Sequence, residues 1–211
     1  VSRSSAPGSG APAPGSGRAV ATVGRVLRRR RAGTAQGVVA LLAPGMPATL
    51  QLVTDAFADG APIPPRHAGR GVGDNVAPGF TWSRPPAGTA QLLLVVEDPD
   101  APARRPFVHL VALLEPSAKR AVEGALTLTP GVEPARVGRG RVRFVTGTLG
   151  LRGYQGPRAL PGHGRHTYGF HLFALDRAIP QDARLRRLDD VVALARGHVL
   201  ARGEYFGTQE R

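Results

Sequence analysis

The sequence predicts a mainly β domain with packed sheets, on three observations. Several short runs carry strand patterning: the continuous apolar QLLLVVE (91–97) and FVHLVALL (107–114), and the alternating HTYGFHLFAL (166–175). Long segments rich in Gly, Pro and Asp separate them. Only one convincing helical run is present, RLDDVVALARG (187–197), and it comes late. Short strands, dense turn signals and a single late helix are the pattern of β layers closing on one core.

Taken in order, residues 1–17 (VSRSSAPGSGAPAPGSG) are low-complexity Ala/Gly/Pro/Ser. Such a segment buries too little apolar area to offset its backbone entropy, so it is expected to be disordered. RVLRRRR (25–31) extends this into a basic arm over 1–37, ahead of a domain over 38–211. The run after it, AGTAQGVVALLAPG, is a short and glycine-interrupted version of a secretory apolar region. From Ala48 the texture changes. ATLQLV (48–53) alternates as a half-buried strand should. Residues 55–83 read as one long turn-rich stretch, with Asp-Gly and Pro-Pro signals. QLLLVVE is apolar on both faces and reads as a central strand. RVRFV (141–145) and GEYFGT (203–208) are further strands. In 187–197, Asp189 and Asp190 near the start and Arg196 near the end suit the helix dipole, and Gly197 is a natural stop.

A length of 211 residues fits one domain plus a tail, and 42% apolar residues suffice for a core. There is no cysteine, which removes disulfides, thiolate metal sites and a cysteine nucleophile. No apolar run reaches the roughly 18 residues of a membrane span. The net charge of +13 points first to nucleic acid or an acidic surface. Yet 27 of the 28 basic residues are arginine, and Ala, Gly and Pro are also abundant, which fits a biased composition as well as phosphate contacts. Residues 1–37 hold seven arginines and no acid, so the remaining 21 basic and 15 acidic residues leave only +6. Aromatics at 5% are too few for a base-stacking platform. Nucleic acid is therefore not the expected partner. The arm offers a separate expectation, a salt-dependent tether to anionic lipid or nucleic acid.

The polar residues of interest sit at strand ends or beside Gly/Pro loops: Asp98, Asp100, His109, His163, His166 and Tyr168. In EDPDAPARRPFVH, prolines at 99, 102 and 106 stiffen an acidic corner. A carboxylate that accepts a ring N–H fixes the tautomer of a histidine and aims its other nitrogen. Two such imidazoles, the Tyr168 hydroxyl and loop amides near Gly150 and Gly153 form a donor set without a fixed lysine. That set fits a phosphate or sulfate monoester. Each residue also has a plain structural use. Asp98 can cap its own turn, His109 can be a core histidine, and His163 in GHG reads as a loop residue. A metal site from His163, His166, His109 and an aspartate is allowed by spacing but carries no recognised signature, and we expect no metal or cofactor. Ser83 and Ser117 lie in no nucleophile elbow.

Together these stretches resemble the phosphatidylethanolamine-binding protein family, most closely its bacterial Raf kinase inhibitor-like branch. The resemblance is carried by AFADGAPIPPRHAGRGVGDNVAPGFTWSRPPAGTAQLLLVVEDPDAP, FVHLVALLEP, GYQGPRALPGHGRHTYGFHLFALD and GHVLARGEYFGT, in that order. It implies two antiparallel sheets, a larger and a smaller, with helices near the C-terminus. It also implies a small anion pocket holding Asp98 and Asp100 from the acidic corner, His109 from the returning strand, and His166 and Tyr168 from HTY, with a Gly150 amide. In this reading the corner orients His109. Leu110 stands where the family commonly has tryptophan, Thr167 where it has arginine, and Ala159-Leu160 where it has two prolines. Residues 1–47 lie outside the resemblance. The expected function is a non-enzymatic binding protein for a phosphate monoester or phospholipid headgroup, regulating a protein partner in a kinase inhibitor-like way. The alternative is a small hydrolase using the pocket histidines as acid and base. A cytoplasmic location is the expectation, with secretion as the alternative, and a homodimer is left open.

Overall fold

The computed structural model describes residues 16–128, 136–137 and 140–211. In chain order its elements are α1 (Ser16–Leu27), α2 (Val38–Leu42), β1 (Leu52–Val53), β2 (Phe80–Trp82), β3 (Gln91–Asp98), β4 (Phe107–Leu114), β5 (Arg120–Ala121), β6 (Arg136–Val137), β7 (Gly140–Arg141), β8 (Arg143–Val145), β9 (His166–Leu175), α3 (Leu188–Ala195) and β10 (Val199–Gln209). A five-stranded antiparallel sheet has the order β10-β9-β3-β4-β8, a three-stranded sheet the order β1-β2-β5, and β6 and β7 form a ribbon. The predicted two-sheet, mainly β architecture is present.

The large sheet is covered on both faces, which explains why β3 is apolar throughout rather than alternating. One face sends Leu92, Leu94, Val96, Leu110, Tyr168, Phe170 and Leu172 against Phe80 and Trp82 of the small sheet. The other sends Leu93, Val95, Val111, Phe173 and Leu175 against Val38 and Leu42 of α2 and Val191, Val192 and Ala195 of α3. Each such fully buried Leu, Val or Phe contributes roughly 1.5–3 kcal/mol from burial. Strands β3 and β9 therefore form a rigid floor, and their ends carry the residues of interest.

Several expectations change. The tail is described only from Ser16, so the expected disorder of residues 1–15 falls outside the described residues. Residues 16–37 are not a disordered arm. They form α1 and a following segment tied to the domain by Ala32 N–H to Ala101 O (3.0 Å) and Gly33 N–H to Pro99 O (2.8 Å). The apolar run after the arginines is α2, whose first amide, Val38 N–H, donates to both Glu97 carboxyl oxygens. The strand expected over 48–53 pairs as a ladder only at 52–53; Ala48 makes an isolated bridge to Arg202, and Thr49 and Leu50 both donate to the one carbonyl of Arg202. The stretch read as turns ends in β2, and 141–145 divides between β7 and β8. In α3 the Asp190 carboxylate accepts the Arg186 and Arg187 amides, and Gly197 takes a left-handed φ of 81° after the helix.

Candidate functional site

A single irregularity in the floor sets up the site. Along β3 and β4, Val96 pairs with Leu110 but Glu97 pairs with Val108, so His109 is an extra residue. This β-bulge turns His109 toward Tyr168, with ring centroids 5.2 Å apart, while Val108 packs on the opposite face. On β9, His166 and Tyr168 are two residues apart and so share that face. Asp98, at the end of β3, completes the group.

The hydrogen bonds assign roles that differ from the expected ones. Asp98 does not orient His109. Its Oδ2 lies 2.8 Å from Nδ1 of His166, and its Oδ1 accepts the Asp100 amide at 2.8 Å. Asp98 thus caps its own turn with one oxygen and fixes His166 with the other. The partner of His109 is instead a backbone carbonyl, its Nδ1–H donating to Gln155 O at 2.7 Å. Burial then pushes the His109 imidazolium down to a pKa of about 4, opposed by that backbone bond. His109 is accordingly neutral, and its Nε2 is a buried lone pair with no partner. Tyr168 is 1% exposed, and burial raises its hydroxyl above the ordinary phenol range.

His163, which the sequence reading placed as a loop residue, is central. Its Nδ1 lies 2.8 Å from Nε2 of His166. Its Nε2 faces the carbonyls of Leu27 (2.9 Å) and Arg30 (3.0 Å), at and just after the end of α1. The result is a relay from Asp98 through His166 and His163 to the backbone of the N-terminal segment. With a carboxyl group at one end and carbonyls at the other, its three links are filled by three protons shared among Asp98, His166 and His163, and the outer nitrogen of His163 is a donor. A signal for His163 was present in the sequence, since the three-residue gap to His166 spans one tight glycine turn, Gly164 having a φ of 101°.

Asp100 stands one step out. Its Oδ2 accepts the Thr167 amide at 2.7 Å and its Oδ1 pairs with Arg31 at 2.6 Å. Gly150 is not brought to the pocket. Its amide closes a turn onto Gly147 O at 3.1 Å, and it lines a different cleft of about 1120 Å³ between α3 and the 103–106 corner, rimmed by Arg104, Arg105 and Arg187. The loop contribution comes instead from Gln155. Among the described residues no cluster of three or more His, Cys, Asp or Glu side chains is arranged to hold a metal ion.

The family model described as phosphatidylethanolamine-binding protein matches residues 53–210. A UPF0098 protein of Chlamydia muridarum is 31% identical over 168 residues, covering 77% of this chain and 99% of its own. Among solved structures, a phosphatidylethanolamine-binding protein homolog from Chlamydia trachomatis, CT736, aligns with a TM-score of 0.62 at 26% identity over 78% of this chain and 99% of its own. Escherichia coli YbcL, described as a new member of the mammalian family, shares the fold, with a TM-score of 0.69 at 23% identity and the same coverage. Segment 16–33 precedes the matched residues.

Proposed function

The chain belongs to the phosphatidylethanolamine-binding protein family, and from that premise we propose that it is a non-enzymatic binding protein whose histidine pocket takes a phosphate monoester or phospholipid headgroup. One observation carries the reading: the Asp98–His166–His163 relay presents a ring N–H at its outer end, and the sheet face that carries His166 also carries His109, whose Nε2 lone pair has no partner among the described residues. An anionic oxygen is matched to the first. A proton brought by the ligand is matched to the second, so the chemistry favours a group with both, such as a monoprotonated phosphate. Occupancy of this pocket is also the simplest means by which such a protein would regulate a partner.

The test is a titration with inorganic phosphate and phosphoethanolamine at fixed pH and salt, following the His109, His163 and His166 ring resonances by NMR. Saturable shifts are expected, and His166→Ala should abolish them while the domain stays folded. If no ring moves, with the N-terminal segment docked or displaced, the reading is wrong. The second reading is a hydrolase in which the Asp98–His166 pair acts as a general base. Among the described residues no hydroxyl hydrogen-bonds to the His109, His163 or His166 rings, so this reading must supply a water nucleophile. Turnover of a phosphoester that is lost in His166→Ala would favour it.

A further inference from the structure

The face that carries the outer end of the relay already has an occupant. Helix α1 packs on the 160–165 loop through two glycines. A Cβ at Gly24 would come within 1.9 Å of Pro161 O and 2.9 Å of the His163 amide nitrogen; one at Gly162 would come within 2.4 Å of Ala21 O. Beyond the helix the chain crosses to the acidic corner. Arg31 pairs with Asp100 and also donates to Arg165 O (3.0 Å), while Ala32 and Gly33 donate to Ala101 and Pro99. The segment therefore grips both walls of the pocket and spans the gap between them. Beneath it His163, His166 and Asp98 are 0%, 2% and 4% exposed.

What the segment brings to the relay resembles what a ligand would bring. The outer nitrogen of His163 is engaged by the carbonyls of Leu27 and Arg30, which are hydrogen-bond acceptors as phosphate oxygens are. Leu27 O is at the C-terminal end of α1, which carries the negative pole of the helix dipole and would repel an anion bound beside it. The Arg31 guanidinium, on the segment itself, is committed to Asp100 and to Arg165 O. These three facts argue that the segment closes the pocket and does not complete it.

We propose that residues 16–33 are a built-in lid that occupies the pocket as a substitute ligand, so that docking of this segment and binding of a phosphate-type anion exclude one another. The inference rests on the anion-binding reading of the pocket and adds its regulation. The lid lies outside the 53–210 region shared with the family, so it is a device placed on top of the common fold.

The test uses the full chain with Gly24→Leu, which drives a side chain into Pro161 O, and separately Arg31→Glu, which breaks the pair with Asp100. Neither changes a pocket side chain, and leucine at position 24 favours the helix itself. Tryptic cleavage after Arg28 and Arg29, sites that both variants keep, reports lid release, and the His109 and His163 resonances report inorganic phosphate binding. Both variants should be cleaved at least tenfold faster than the wild type and should bind phosphate at least tenfold more tightly. By linkage, phosphate should accelerate cleavage of the wild-type lid. Faster cleavage with unchanged or weaker phosphate affinity would overturn the lid and leave the anion pocket standing. Wild-type cleavage as fast as that of the variants would overturn docking itself. Rapid cleavage of both variants with no phosphate bound by any form would instead overturn the anion pocket, and the lid with it.

Discussion

At the scale of residues, the site shows how one carboxylate can carry two structural duties. Asp98 Oδ1 holds the turn at Asp100 and Oδ2 holds His166, so replacing it changes both. Asp98→Asn retains the shape but replaces the carboxyl partner of the His166 ring with an amide. A hydrogen bond to a charged group in a buried site is worth roughly 1.5–3 kcal/mol, and a stability loss of that size is expected in denaturant melts. Phosphate affinity should fall as well, because the His163 N–H is positioned only through His166. A variant with unchanged stability and unchanged affinity would show that Asp98 does not orient the relay. His109 obeys a different rule. Its partner is a backbone carbonyl rather than an acid, and that choice leaves a lone pair where the sequence reading expected a donor. No periodicity argument distinguishes these outcomes, because the partner of each ring depends on a bulge that places an extra residue in β4.

At the scale of elements, the legible parts were those whose patterning is local. Strands β4 and β9 have the boundaries their apolar runs suggest, and β3 differs by one residue. The DPDAP corner and HTY do meet in space, at Asp98 and His166 and again at Asp100 and the Thr167 amide. What stayed hidden depends on contacts distant in sequence. Helix α1 has no acidic residue in its first turn and holds a glycine in its interior; twelve residues of this kind are marginal alone, and docking on the 160–165 loop supplies the stabilisation. Gln155 lies in a Gly/Pro loop that reads as a connection, yet its position is set by a tight sandwich. Asn75, at a left-handed φ of 59°, accepts the Gly156 amide through Oδ1 and donates to Tyr154 O through Nδ2. A Cβ at Gly156 would meet His67 O at 2.2 Å and the Gly69 nitrogen at 2.6 Å, both backbone atoms. Gly156→Ala should therefore push the loop outward and loosen the Gln155 carbonyl from His109. The expected outcome is a stability loss of about 1–3 kcal/mol, typical of overpacking, with the His109 titration moving further down from about 4, because the bond that opposes the effect of burial is weakened. An NMR titration of the ring would check this, and an unmoved midpoint would detach Gln155 from the control of His109.

At the scale of the whole molecule, covering the large sheet on both faces buries ionisable groups whose preferences oppose one another. Burial lowers the His109 and His171 pKa values to about 4 and raises that of Glu97 to about 7. The His171 and Glu97 side chains lie 3.7 Å apart at the edge of the α2–α3 core, where burial favours the neutral form of both. For the histidines the folded pKa is depressed below the unfolded value near 6.5, so their contribution is complete above that pH and is lost as pH falls toward 4. For Glu97 the folded pKa is raised above the ordinary carboxyl value of 4.5, so its contribution is complete below that pH and is lost as pH rises toward 7. Between about pH 4.5 and 6.5 the unfolded chain binds two protons more at the histidines and one fewer at the glutamate. Those three groups together then make stability rise by about 1 kcal/mol per pH unit, flattening near pH 7. Glu97→Gln removes the opposing group and keeps an oxygen to accept Val38 N–H, so it should roughly double that slope and raise stability most above pH 7. Denaturant melts of both proteins from pH 4.5 to 8 measure the two slopes directly. A variant slope equal to that of the wild type would mean that Glu97 is already ionised in the folded protein. The face of the sheet carrying α2 would then hold a buried charge stabilised by Val38 N–H, with His171 3.7 Å away.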